Sequence, residues 1–402
     1  MGRRSSMGYR SGNVRFYSTR GYGKKKNKGR KKWIIILVAL VLLILAGFAG
    51  LYFWLSSSNT EDEEIESSVV SEVQESSEDS SEEDEESVWE TTDESSLVSS
   101  TEVSDDPNIQ ETYDGNVLIY NNEGYEIFYG TESSAETYAA TISSLKEKLG
   151  DDVTLYNMVV PVHSAYGLPQ RLKETGNDQE ENIQTIYSSY TEDVVAIDIY
   201  ETLQQHSSEY IFFHTDHNWT ALGAYYAYEI FCDEAGLEAV DLDSLSSGDI
   251  TDFLGSLYAA TDSNSILAAN SDTVTYYEIP GTYTCTLLEN GKTEEQTVSL
   301  IATFASGSNA YSAFIWGDNP YMYIKTSNST GRKLCIIKDS YGCAFAPFTV
   351  TNYDEIFIVD SRYYEGDIVE YIQENGFTDV LVINGVISAN TSGQITCLES
   401  IM

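Results

Sequence analysis

The sequence predicts an α/β fold built on a parallel sheet, and three observations carry that prediction. Short apolar strands alternate with segments of helical spacing from residue 116 onward. Three strands, KLCIIKDS (333–340), EIFIVDS (355–361) and DVLVING (379–385), are apolar almost throughout and end in polar residues. Such continuous apolar runs mark strands buried on both faces, as in parallel sheets covered by helices. The polar strand ends are where chemistry is expected, because open α/β sheets bind ligands beyond the carboxyl ends of their strands.

The elements follow in order. NVLIYNN and EIFYG, near 116–130, read as a short hairpin, and 134–148 has helical spacing through Tyr138, Ile142 and Leu145. VTLYNMVVPV (153–162) is a buried strand, 182–190 is helical, and DVVAIDIYETL gives a strand-to-helix step. The helix ALGAYYAYEIFCDEAG starts from Thr220 as N-cap and stops near Gly236. From 273 to 326 the pattern turns to short alternating runs, which reads as a β-rich insertion covering about 260–330, before the three buried strands return. Five cysteines, an odd number without CxxC spacing, suggest neither a disulfide framework nor a zinc site.

This domain, 109–402, is preceded by three segments of very different character. Residues 1–32 hold 12 of the chain's 22 basic residues and no acid, and read as a cytoplasmic tail. Trp33 opens a run of 23 uncharged residues ending at Leu55, enough at about 1.5 Å per residue to span a hydrocarbon layer. Trp33, Tyr52 and Trp54 sit where interfacial aromatics belong, and the basic flank places the N-terminus inside and everything after Leu55 outside. Residues 56–108 carry 20 acids with neither Lys nor Arg, a composition that repels itself and reads as a disordered spacer. A formal net charge of -42 argues against nucleic acid as a partner, since neutralising phosphates needs surplus Lys and Arg. The sequence predicts a single-pass cell-membrane protein with an extracellular C-terminal domain.

Two segments carry chemistry. In the second of the pair, a buried strand ends at Asp339-Ser340 with Gly342 close behind, which suits a serine exposed on a tight turn above a sheet. Such a serine acts as a nucleophile if a His removes its proton, an acid orients that His and backbone N–H groups receive the oxyanion. The first, Phe212 to Thr220 (FFHTDHNWT), supplies the His and the acid.

HTDHNWTALGAYYAY (214–228), DFLGSLY (252–258), KDSYGCAFAPF (338–348) and EIFIVDSRYY (355–364) together resemble the bacterial DHHW protein family. That family is similar in turn to SGNH-hydrolase-like proteins that O-acetylate exopolysaccharides such as alginate. The resemblance spans most of 113–390 and implies an SGNH-hydrolase-like sheet flanked by helices. Carried over by position, it makes Ser340 the nucleophile and Asp216 the acid. Asn218 stands where the family pattern has its second His, and Asn cannot act as a general base near neutral pH. Three readings stay open: His217 turns into the site through a bend, His214 serves because it shares a face with Asp216 in an extended chain, or the protein binds without catalysing. His217 is placed first, because such blocks usually sit on loops.

Other residues divide between structural and functional readings. Asn384, ending a buried strand, is a turn residue or an oxyanion donor; His163 is a loop residue or lines the cleft; His206 lies on the surface. Trp219 packs the loop, and Arg362 pairs with Asp360 or orients an anion. Tyr341, Tyr363 and Tyr364 are positioned to stack on a sugar. No metal or nucleotide cofactor is expected, for want of clustered ligands and of a Gly-rich phosphate loop. The expected function is acyl transfer or ester cleavage on O-acetyl groups of a surface or exported polysaccharide, with a membrane-bound acyl-donor partner; the alternative is a non-catalytic carbohydrate-binding or envelope-assembly protein.

Overall fold

The computed structural model describes residues 103–402. The expected tail, the expected span and all but the last six residues of the expected acidic spacer lie outside them. Among the described residues, no helix is long and apolar enough to cross a membrane.

The chain opens with a three-stranded antiparallel sheet of β1 (Thr112–Asp114), β2 (Val117–Tyr120) and β3 (Glu123–Tyr125). Its hairpin lies earlier than the sequence suggests, and Glu126–Gly130 is not a strand. Asn121 and Asn122 take positive φ values of 50° and 67°, a conformation Asn adopts more readily than most residues. They close a two-residue turn directly after Tyr120.

The main sheet has eight strands. They are β4 (Thr154–Val160), β5 (Val194–Ile197), β8 (Tyr283–Leu288), β9 (Gln296–Val298), β10 (Tyr321–Thr326), β11 (Lys333–Lys338), β12 (Glu355–Asp360) and β13 (Asp379–Gly385). Their order is β5-β4-β13-β11-β12-β10-β8-β9. The first five run parallel, and β10, β8 and β9 continue the sheet antiparallel. The β-rich stretch therefore divides in two. Three of its strands widen the main sheet, while β7 (Asp272–Glu278) pairs with β6 (Ser246–Phe253) in a separate ribbon.

The central strands are buried on both faces as their apolar runs require. Val380, Leu381, Val382 and Ile383 of β13 are fully buried, each such side chain being worth about 1.5–3 kcal/mol of hydrophobic stabilisation. One face is covered by α1 (Glu132–Leu149), which packs against α2 (Gln179–Ser188), α6 (Ile368–Asn375) and α7 (Ser392–Ser400). On the other lie α3 (Ala221–Ala235) and α5 (Tyr341–Phe345), with α3 against α5 and α5 against β11 and β13, while the short α4 (Ser256–Ala260) packs instead against β3. Thr220 caps α3 by accepting the Gly223 N–H, and Gly236 ends it in the left-handed conformation. All five cysteines are free thiols, four of them buried.

Candidate active site

The site forms at the carboxyl end of β11, near the middle of the parallel strands. Asp339 ties the turn that follows to β13: one carboxylate oxygen accepts the Tyr341 N–H at 3.0 Å and the other the Gly385 N–H at 2.9 Å. Burial pushes the Asp339 carboxyl up, against these hydrogen bonds. Asp339 is thus a buried strut under the turn. Ser340 follows in right-handed helical conformation as the N-cap of α5, and its carbonyl accepts the Tyr311 hydroxyl at 2.9 Å. At the next turn a Cβ on Gly342 would lie 2.5 Å from Lys338 Cβ, so only glycine fits there.

Beneath the turn, Lys338 is buried at the end of β11 between Asp318 (2.8 Å) and Asp360 (3.1 Å). Burial alone would lower the Lys338 ammonium, but Cys343 and the two carboxylates outweigh it and hold the group well above its ordinary range. Arg362 bonds to both carboxylates as well, so it sits in an ion-pair cluster that braces two strand ends.

The second half of the site is a tight loop between the ends of an isolated bridge. Phe212 pairs with Trp219, and the Phe213 N–H donates to the Asn218 carbonyl at 3.3 Å, so 213–218 is an excursion rather than an extended strand. Asp272 of β7 holds it from below, accepting the N–H groups of His214 and Thr215 at 2.8 Å each and the hydroxyls of Thr215 and Tyr210 at 2.5 Å. This bend breaks the alternation that would have put His214 beside Asp216. His214 instead faces Asp272 (3.6 Å) and Glu123 (3.7 Å). His217 Nε2 lies 3.3 Å from Ser340 Oγ, just beyond the range of about 2.6–3.2 Å for a nucleophile–base pair, as is common in sites without substrate.

Two further bonds lock the halves together. Trp219 Nε1 donates to the Tyr341 carbonyl at 2.9 Å, and the Tyr341 hydroxyl donates to the His217 carbonyl at 2.7 Å. Tyr341 is therefore buried framework and not a sugar platform.

Asp216 does not hydrogen-bond to His217. Its Oδ1 accepts the backbone N–H (2.9 Å) and side-chain amide (2.7 Å) of Asn218, and its Oδ2 the Ser256 N–H (2.7 Å). His217 Nδ1 meets the Ser256 hydroxyl instead, at 2.5 Å. Asn384 is fully buried; its Oδ1 accepts the Tyr138 hydroxyl at 3.0 Å and its Nδ2 has no partner. Of the backbone donors at the turn, those of Tyr341 and Gly342 are engaged by Asp339, while the Ser340 N–H has no partner among the described residues.

A model of the DHHW protein family matches residues 57–359. A DHHW family protein from Eubacterium siraeum DSM 15702 is 32% identical, with a TM-score of 0.67 over 72% of this chain and 97% of that one. The chain belongs to the DHHW family. PatB1 of Bacillus cereus, also solved with a sulfonyl adduct, shares the fold at 19% identity and a TM-score of 0.57, over 71% of this chain and 98% of its own. The O-acetyltransferase domain of Pseudomonas putida AlgJ aligns at 14% identity with a TM-score of 0.41, over 73% of this chain and all of its own. No curated protein matches the chain.

Two residues of this site escape sequence reasoning. Ser256 comes from the DFLGSLY segment, which signals resemblance without signalling a role. Glu126 follows β3 directly; burial raises its carboxyl, Asp216 adds to the rise and His217 opposes it. That mutual influence places a further carboxylate within electrostatic reach of the imidazole. His163, by contrast, is half-buried against Phe212 and Tyr125 with its Nδ1 buried and unpartnered, and desolvation holds it down to about 3. It remains neutral at ordinary pH. His206 pairs with Glu209 at 2.7 Å.

Proposed function

We propose that this DHHW protein is a serine-dependent acyltransferase or esterase acting on O-acetyl groups of a cell-surface or exported polysaccharide. The observation that carries the reading is the 3.3 Å approach of His217 Nε2 to Ser340 Oγ at the carboxyl end of a buried parallel strand. Ser340 Oγ attacks the acetyl carbonyl while His217 Nε2 takes its proton, and the free Ser340 N–H donates to the developing oxyanion. Collapse breaks the ester bond, the leaving alkoxide receives the proton from His217, and acetyl-Ser340 remains. A sugar hydroxyl or water, deprotonated by the same imidazole, then takes the acetyl group.

The uncharged run at 33–55, with its basic flank, supports a membrane anchor with the domain outside, where a membrane-bound partner supplies the acetyl donor.

The test is hydrolysis of a chromogenic acetyl ester by the purified full-length protein, paired with sulfonyl fluoride labelling. Ser340→Ala and His217→Ala abolish turnover, His214→Ala retains it, and the sulfonyl group maps to Ser340. Retained turnover in Ser340→Ala refutes the reading. A second reading, a carbohydrate-binding protein with a degenerate site, is favoured by Asn218, whose amide is spent on Asp216. It requires saccharide binding without ester turnover or labelling.

A further inference from the structure

We propose that Ser256 is the positioning residue for His217, orienting the imidazole through its hydroxyl while Asp216 acts one step removed, by holding the Ser256 backbone. The inference rests on reading Ser340 and His217 as nucleophile and base. Ser256 Oγ lies 2.5 Å from His217 Nδ1 and also accepts the His217 backbone N–H at 3.2 Å, so it grips the residue at two points. The Ser256 N–H in turn donates to Asp216 Oδ2 at 2.7 Å. Asp216 Oδ1 is occupied by both donors of Asn218, which leaves no Asp216 bond on the ring.

The chemistry follows from proton placement. For Nε2 to accept the Ser340 proton, the imidazole must carry its own proton on Nδ1, which then donates to Ser256 Oγ. With one lone pair on the backbone N–H and the other on Nδ1–H, the hydroxyl holds the ring in plane with Ser340. When Nε2 takes the proton, the Nδ1–H bond to Ser256 becomes charge-assisted and strengthens. A hydroxyl stabilises the imidazolium less than a carboxylate would.

The test compares Ser256→Ala, Ser256→Thr and Ser256→Asp in the full-length protein, with Asp216 and with Glu126, whose carboxyl interacts electrostatically with His217, left unchanged. On a chromogenic acetyl ester, Ser256→Ala loses roughly 10- to 100-fold in kcat with KM nearly unchanged, and the acidic limb of its pH–rate profile moves to lower pH. Ser256→Thr, which keeps the hydroxyl, recovers most of the rate. Ser256→Asp moves the acidic limb to higher pH, because an opposite charge beside the ring favours its protonated form. Wild-type kcat with an unshifted limb in Ser256→Ala overturns the inference. So does equal loss in the Ala and Thr variants with unshifted limbs, which would make Ser256 merely structural.

A second measurement does not depend on turnover. Nitrogen NMR of His217 shows the proton on Nδ1 in wild type and a tautomer mixture in Ser256→Ala; a wild-type proton on Nε2 overturns the inference. Failure of the nucleophile–base reading looks different, because His217→Ala then keeps wild-type turnover whatever stands at 256.

Discussion

Gly255 is the position where a single methyl group tests the whole arrangement. Its φ of −89° is open to any residue, so the objection to alanine is steric alone. A Cβ there would lie 2.8 Å from Asp216 Cγ and closer still to Asp216 Cβ and Oδ2. Restoring ordinary contact moves the carboxylate by about 1 Å. Asp216 holds three donors, two from Asn218 and one from Ser256, and cannot move that far without losing at least one. A hydrogen bond to a charged group is worth about 1.5–3 kcal/mol, and overpacking adds about 1–3 kcal/mol, so Gly255→Ala costs about 3 kcal/mol. At roughly 2–4 °C per kcal/mol, the melting temperature falls by about 6–12 °C. Ester turnover falls about 100-fold, because misplacing Ser256 by 1 Å misplaces the imidazole it touches. The assay is thermal unfolding by circular dichroism of the full-length protein, alongside ester hydrolysis. Gly393, in α7 with nothing near its would-be Cβ, serves as control, since alanine there is neutral to stabilising. A Gly255→Ala protein that melts within about 2 °C of wild type and keeps its activity refutes the reasoning.

Other consequences are as direct. Lys338→Met leaves buried Asp360 with Arg362 alone and destabilises the domain by about 3–5 kcal/mol in a denaturant titration; a loss under 1 kcal/mol would mean the cluster tolerates the missing charge. Asp272→Ala releases four donors under the 213–218 loop and removes ester turnover as well as about 3 kcal/mol of stability, and retained turnover would show that the loop holds its shape without that anchor. Burial raises the Glu126 carboxyl above its ordinary 4.5, so its contribution to stability is full below 4.5 and is lost as pH rises through the raised value. Glu126→Gln, which stays neutral, therefore gains on wild type as pH rises from 4.5 towards neutrality, and parallel stability–pH curves for the two proteins would contradict this.

The buried strands were legible because their signal is local and redundant. KLCIIK, EIFIVD and DVLVING each carry enough consecutive apolar residues to require burial on both faces, and each occupies the parallel part of the sheet. The Thr220 and Gly236 limits of α3 were legible for the same reason, since caps are chosen by the local backbone. The hairpin was displaced because a pair of Asn residues outranks the apolar run IFY, of which Phe128 is buried and Tyr129 exposed without strand pairing. Partners set by tertiary contact were not legible. Nothing in DFLGSLY announces that Ser256 meets an imidazole 39 residues earlier in the chain, or that Gly255 is there to let a carboxylate approach.

The position of His217 over Ser340 follows from a conflict between two local rules, and the loop decides it. Alternation along an extended chain would aim His214 and Asn218 with Asp216, and His217 the other way. The Phe212–Trp219 bridge closes a loop too short to stay extended, and Asp272 pulls His214 and Thr215 down by their N–H groups. The bend at Asp216 then turns His217 over Ser340 and folds Asn218 back onto the carboxylate. Asn218 thus stands on Asp216, while the imidazole one residue earlier reaches the serine. With the carboxylate engaged by Asn218 and the Ser256 backbone, the ring at 217 must find another partner for Nδ1. The hydroxyl of Ser256 lies there because the same carboxylate holds its backbone, so Asn218 and the serine that meets the His217 ring are fastened to a single group.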